Sequence, residues 1–149
     1  MTPIVESIEI ARRPEDVFAY VTDPSLFPEW QESVVSAHRV GGEPLAVGSR
    51  AVVRRRVGPR VVSSTEEVIE LSPPRTFGFR GVGGMPVAAI VEGAIEPLDE
   101  GERSRVTLRF DVEARGLGRL LVPLVVRPQV RRQLPRNEQK LKDVLEGAA

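Results

Sequence analysis

A chain of 149 residues with no cysteine and a single histidine can bury a hydrophobic core without staples, and it excludes disulfides, thiolate metal sites and cysteine nucleophiles. Its 21 basic residues balance 21 acidic ones, whereas a nucleic-acid binder normally carries a basic excess; a zinc site is equally unexpected from so few nitrogen and sulfur ligands. The chain opens without a basic segment leading into an apolar one, and its longest strongly apolar run, Leu120 to Val126, is far too short to cross a bilayer.

The expectation is therefore a cytoplasmic protein of one domain, residues 1–149, with no cofactor, no metal, no nucleic-acid partner and no stable membrane insertion; the oligomeric state is left open. Lysine occurs only at 140 and 142 among many arginines, which reads as the codon bias of a GC-rich bacterial genome.

In chain order, Ile4 to Ile10 alternates apolar and polar residues, the period of a strand with one buried face. Glu6 shares the phase of Ile4, Ile8 and Ile10, either as a cavity acid or as a group in water at a frayed strand start. Pro14 opens a helix with Glu15 and Asp16 in its first turn, both suited to a helix N-terminus, and Val17, Phe18 and Val21 form its apolar side. A second short helix follows Asp23-Pro24 and carries Leu26, Phe27 and Trp30.

From Val34 the pattern is strands and turns: Val34–Val40, Ser49–Val57, Arg60–Leu71, Thr76–Val82, Pro86–Leu98 and Arg103–Arg115. Short loops between them imply an antiparallel meander. After Gly116-Leu117-Gly118 a helical stretch runs to about Glu146, with Val130, Leu134, Leu141, Val144 and Leu145 at helical spacings. Pro123, Pro128 and Pro135 predict that it is bent or broken.

The motifs Val5-Glu6-Ser7-Ile8-Glu9-Ile10-Ala11, Pro14-Glu15-Asp16-Val17-Phe18, Thr22-Asp23-Pro24, Pro28-Glu29-Trp30, Val47-Gly48, Val68-Ile69-Glu70-Leu71-Ser72-Pro73-Pro74 and Leu141-Lys142-Asp143-Val144-Leu145-Glu146 occur in an order that resembles the START-like, or SRPBCC, superfamily, in its polyketide cyclase/dehydrase and lipid-transport branch. The resemblance spans nearly the whole chain. It implies an α+β helix-grip fold of the START/Bet v 1 type: a seven-stranded curved antiparallel sheet around a long kinked C-terminal helix, with two short helices after the first strand and an elongated cavity inside. Members bind lipids, sterols, polyketides and plant hormones, and some catalyse cyclisation or dehydration. No catalytic set transfers residue by residue, and a fold does not assign a function.

Strand alternation nominates the inward set: Ala51, Val53, Arg55 and Val57; Val61, Ser63, Thr65, Glu67 and Ile69; Phe77 and Phe79; Ala89, Val91, Gly93 and Ile95; and Val106 to Val112 at alternate positions. A bulge would reverse any of these phases, so Glu66 against Glu67 stays open.

Arg55 and Glu67 could pair inside the cavity, the guanidinium holding a ligand oxygen through parallel hydrogen bonds and the desolvated carboxyl acting as acid or base. Alternatively they form a buried ion pair, or Arg54, Arg55 and Arg56 are all solvated. His38 is the candidate for proton transfer near neutrality, or an exposed edge residue. Val53, Phe77, Phe79, Val91, Phe110, Leu121 and Val125 are the expected ligand contacts, and Met85-Pro86 an expected loop at the cavity rim. The functional expectation is a carrier or sensor for a hydrophobic or aromatic small molecule, polyketide- or lipid-like, with a cyclase or dehydratase using the same cavity as the alternative. Leu117, Leu120, Leu121, Leu124 and Val125 are expected to form the helical wall of the cavity, with a membrane-dipping patch as the lesser alternative role for that segment.

Overall fold

The structure is a computed structural model that describes residues 2–82 and 87–147. Strand β1, Ile4–Ile10, leads into α1, Pro14–Val21, with proline at the helix start and acidic residues in the first turn as expected. Val17 and Val21 are fully buried on its apolar side. Asp23 then caps a 3₁₀ turn, Pro24–Leu26, by accepting from the Ser25 N–H at 3.0 Å, and α2, Phe27–Trp30, follows at once. This pair of short helices carries the chain from one edge of the sheet to the other.

The sheet strands β2 to β7 are Val34–Val40, Arg50–Val57, Arg60–Ser72, Thr76–Val82, Val87–Leu98 and Arg103–Ala114. They form one seven-stranded antiparallel sheet in the order β1-β7-β6-β5-β4-β3-β2. The first strand thus lies beside the last, with Ile4 opposite Phe110 and Ile8 opposite Val106. The outward face carries cross-strand ion pairs: Glu9 with Arg103 and Arg105, Glu96 with Arg105, and Glu92 with Arg109.

From Gly118 to Gly147 the chain is helical throughout. Helix α3, Gly118–Leu121, passes through a π-helical turn, Val122–Val126, into α4, Arg127–Gly147. The irregularity expected from the prolines falls at Pro123, in the π turn, a widened turn of the kind that often marks functional sites. Pro135 is accommodated within α4. Leu134, Glu138, Leu141 and Leu145 form the buried face of α4, which packs against β1 and α2. The C-terminal end is fastened to the end of β1 and the residues just after it: Arg12 donates to the Leu145 carbonyl and Lys142 to the Glu9 carbonyl, both at 2.8 Å.

One expectation about strand phase is overturned. Val57 pairs with Arg60 across a two-residue turn, so Arg55 opposes Val62, Val53 opposes Ser64 and Ala51 opposes Glu66. Directly opposed residues share a face of the sheet; an odd-numbered inward set on β3 therefore requires an even-numbered one on β4. Val62, Ser64, Glu66 and Val68 point inward, in place of Val61, Ser63, Thr65 and Glu67. A bulge between Val68 and Glu70 then restores the odd phase, with Leu71 opposite Phe77.

Candidate functional site

Between the sheet and the C-terminal helix lies a cavity of about 760 Å³, partly open to solvent, within the usual range for small-molecule sites. Phe77 and Phe79 from β5, Val91 from β6 and Leu108 and Phe110 from β7 line its sheet side. Phe27 and Trp30 close it from α2, and Leu121, Val125 and Leu134 from the helix. The aromatic part is a chain of edge-to-face contacts: Phe27 lies 5.6 Å from Phe79 and 6.1 Å from Trp30, and Phe77 lies 6.1 Å from Phe79. Such pairs hold ring orientation as well as burying area.

Phe77 owes its place to Gly93 on the neighbouring strand. A β-carbon at 93 would sit 2.1 Å from the Phe77 ring, a distance no pair of heavy atoms tolerates, so the ring occupies space that only glycine leaves open.

Charged groups interrupt this apolar wall in two places: the Arg80–Glu113 ion pair with Glu67 and Arg115, and a cluster around Arg55. Arg55 donates to Glu66 Oε1 at 2.7 Å and to Gln31 Oε1 at 3.0 Å, both across the cavity lining. The Glu66 and Arg55 side chains are 12% and 28% exposed, so the pair is largely withdrawn from water, where charge-assisted bonds are strongest. Ser33 and Ser64 add hydroxyls to the same lining, and Gln129, Gln133 and Asn137 face it from the helix. Beside them, the Trp30 indole Nε1 is buried and has no hydrogen-bond partner. A buried unmet donor costs free energy, and this one belongs to a residue on the cavity wall.

The expected ligand contacts Phe77, Phe79, Val91, Phe110, Leu121 and Val125 are all placed on that wall. Val53 is not: it is fully buried in the core between strands and helices, inward in phase but behind the lining. Arg55 is in the cavity, yet its partner is Glu66. Glu67, opposite in phase because of the two-residue turn, pairs with Arg50 at 3.2 Å instead of with Arg55, yet it is also among the residues lining the cavity. His38 is exposed on β2, the edge strand, opposite Val52. It points away from the inward residues Ala37 and Val53 and does not reach the cavity. Met85-Pro86 lies outside the described residues.

A second acidic centre was half legible. Glu6 sits in the inward phase of β1, half-buried, and does not line the cavity. Opposite it, on α4, Glu138 is 2% exposed, and its Oε2 has no partner. Burial pushes the Glu138 carboxyl up to about 8, and the neighbouring Glu6 charge adds to the effect. The sequence carried a signal for Glu138: it falls four residues after Leu134 and three before Leu141, in the apolar phase of the helix. No motif singled it out.

A family model described as polyketide cyclase/dehydrase and lipid transport matches residues 1–146. No curated protein matches the sequence. Among solved structures, a START superfamily protein from Mycobacterium smegmatis is similar over all of both chains, at 15% identity and a TM-score of 0.80. A conserved protein from Geobacillus kaustophilus, 17% identical, gives a TM-score of 0.75 over 98% of this chain and 96% of its own. The di-domain ARO/CYC protein BexL of the BE-7585A biosynthetic pathway gives 0.73 at 17% identity, over 95% of this chain. This chain spans only 45% of that longer protein. At these identities the likeness is one of fold.

Proposed function

The chain belongs to the polyketide cyclase/dehydrase and lipid transport family, and from that membership we propose that it is a carrier or sensor whose cavity takes a hydrophobic, ring-bearing small molecule with at least one hydrogen-bond-accepting oxygen. The observation that carries the reading is the unpartnered Trp30 N–H on an aromatic wall beside the Arg55–Glu66 pair. Phe27, Phe77 and Phe79 favour the flat faces of rings or polyene-like chains. A carbonyl or phenolic oxygen of the ligand accepts from Arg55 on the polar side and from Trp30 once the indole turns its N–H, now shut off from the cavity, toward the ligand. A pure hydrocarbon would leave the indole donor unmet.

The same pair supports a second reading, an enzyme of the cyclase or dehydratase type. Arg55 would neutralise the enolate oxygen of a polyketide-like chain, Glu66 would take the proton from the carbon between two carbonyls, and the apolar wall would fold the chain. The turnover of a poly-β-ketone substrate by the wild type, and its loss in Glu66→Gln with binding retained, would favour this over carriage.

Trp30 is the one tryptophan of the chain, so intrinsic fluorescence reports directly on the cavity. Titration with 1-naphthol and with naphthalene compares the same ring with and without the oxygen. The carrier reading expects saturable quenching or shift with both, and roughly fivefold or greater preference for the naphthol, the worth of about one hydrogen bond. Failure of both, together with nothing bound in native mass spectrometry of protein from its own host, would sink it.

A further inference from the structure

The outer side of the helical wall carries a feature that ligand binding inside does not explain. Leu117, Leu120, Leu121, Leu124 and Val125 are all exposed, Leu117 at 78% and Leu124 at 76%. Their spacing of three, four, seven and eight residues from the first places them on one helical stripe along α3 and the π turn. Isolated exposed leucines are ordinary, but a contiguous ridge of this kind marks an interaction surface.

The charges around it are segregated. Residues 114–137 contain six arginines, at 115, 119, 127, 131, 132 and 136, and no aspartate or glutamate, in a chain whose charges balance only when taken as a whole. Arg115, Arg119, Arg131, Arg132 and Arg136 are exposed. Two copies meeting through this face by two-fold symmetry would set one cationic field against the other, which disfavours self-association. An acidic bilayer surface suits both halves of the pattern: apolar side chains enter the acyl boundary while arginines meet phosphates.

Two residues join this ridge to the cavity. Leu121 and Val125 are exposed on the ridge and also line the cavity, so a surface lying on the ridge lies at an opening of the cavity. Among the described residues no helix is long and apolar enough to cross a membrane.

We propose that the ridge from Leu117 to Val125, with its arginine border, docks the protein on anionic lipid bilayers in the plane of the interface, presenting the cavity opening to the lipid. The proposal concerns the outside of the wall and holds whatever the cavity carries.

The test is co-sedimentation of the full chain with vesicles of equal phosphatidylglycerol and phosphatidylcholine, against vesicles of phosphatidylcholine alone. Binding is expected with the anionic vesicles and weak or absent with the neutral ones, and it should fall steeply at about 0.5 M salt, where exposed charges are screened. The double variants Leu120→Gln/Leu124→Gln and Arg131→Gln/Arg132→Gln should each bind anionic vesicles roughly tenfold more weakly, since apolar insertion and basic residues both contribute. None of these four side chains lines the cavity, so the naphthol titration without vesicles should be unchanged in both variants. Absence of vesicle binding by the wild type at low salt overturns the proposal, as does vesicle binding that neither double variant weakens. So does a wild-type dimer in sedimentation velocity that Leu120→Gln/Leu124→Gln converts to monomer without any vesicle affinity. The naphthol titration separates these failures from a failure of the cavity reading.

Discussion

Arg55 donates to Glu66 at 2.7 Å although the two are not opposite each other in the sheet: Arg55 opposes Val62, and Glu66 opposes Ala51. The arginine therefore extends along the cavity floor past Ser64, and Gln31 holds its other arm from α2. Held at two points, the guanidinium has little freedom left to lose when a ligand oxygen arrives, and such preorganisation lowers the cost of binding.

Truncating one member of this pair leaves the other charged and short of water. Arg55→Ala should destabilise the protein by about 1–3 kcal/mol in urea unfolding, because Glu66 loses its cation while staying largely buried. The double variant Arg55→Met/Glu66→Leu should recover much of that loss. Equal costs for the single and double variants would mean that the two side chains are not coupled.

Trp30→Phe keeps the ring packing against Phe27 and removes the unmet N–H. Removing the buried, unpartnered donor relieves a cost while the smaller ring leaves a packing gap, and the two offset, so stability should change by less than about 1 kcal/mol. Affinity for an oxygenated ligand should drop roughly fivefold while affinity for its hydrocarbon analogue stays level. With the tryptophan gone, calorimetry provides the measurement. An equal loss for both ligands would assign Trp30 to shape alone.

Glu138 makes stability depend on pH in a definite direction. Its folded-state value of about 8 lies above the ordinary 4.5, so between these limits the native state holds a proton that the unfolded chain releases. Stability from this site is therefore greatest at and below pH 4.5, declines as pH rises toward 8, and levels off above it. Glu138→Gln removes that decline: it should stabilise the protein by about 1–3 kcal/mol at pH 7.5 and by little near pH 4.5. The check is a series of thermal or urea unfolding curves across that window. A wild-type and variant difference that does not change with pH would refute the assignment.

Gly93→Ala should be among the costliest small substitutions in the sheet. The added methyl would meet the Phe77 ring at 2.1 Å, so the ring must leave its position on the cavity wall. A loss of about 1–3 kcal/mol follows from overpacking, together with weaker naphthol binding. Gly93→Ala with Phe77→Leu should restore stability in part, which unfolding of the pair would read out. No recovery would locate the strain in the strand backbone instead.

Much of the architecture was legible from alternation and turn placement. The strands β1, β2 and β5 lie where period-two patterning put them, and Phe77, Phe79, Val91 and Phe110 share the cavity face as their phases required. The two-residue turn after Val57 contained enough information to put Glu66 inward: opposite residues across such a turn have opposite parity and the same face. Carrying the odd phase of β3 straight through the turn led instead to Glu67. The bulge beyond Val68 could not be read in this way, because nothing in the local pattern marks where a strand gains its extra residue.

The sequence by itself determined which side chains turn inward on each regular strand, the buried phase of α4 with Glu138 in it, and the acid-free arginine segment from 114 to 137. Those are properties of period and composition, and they need no knowledge of neighbours. Tertiary structure alone decided that β1 closes on β7, which sets Glu6 before Glu138, and that Val53 is packed away from the cavity while the buried Phe77 borders it. Period gives the face of an element but not the depth of what covers it; depth depends on how far the helix stands from each part of a curved sheet.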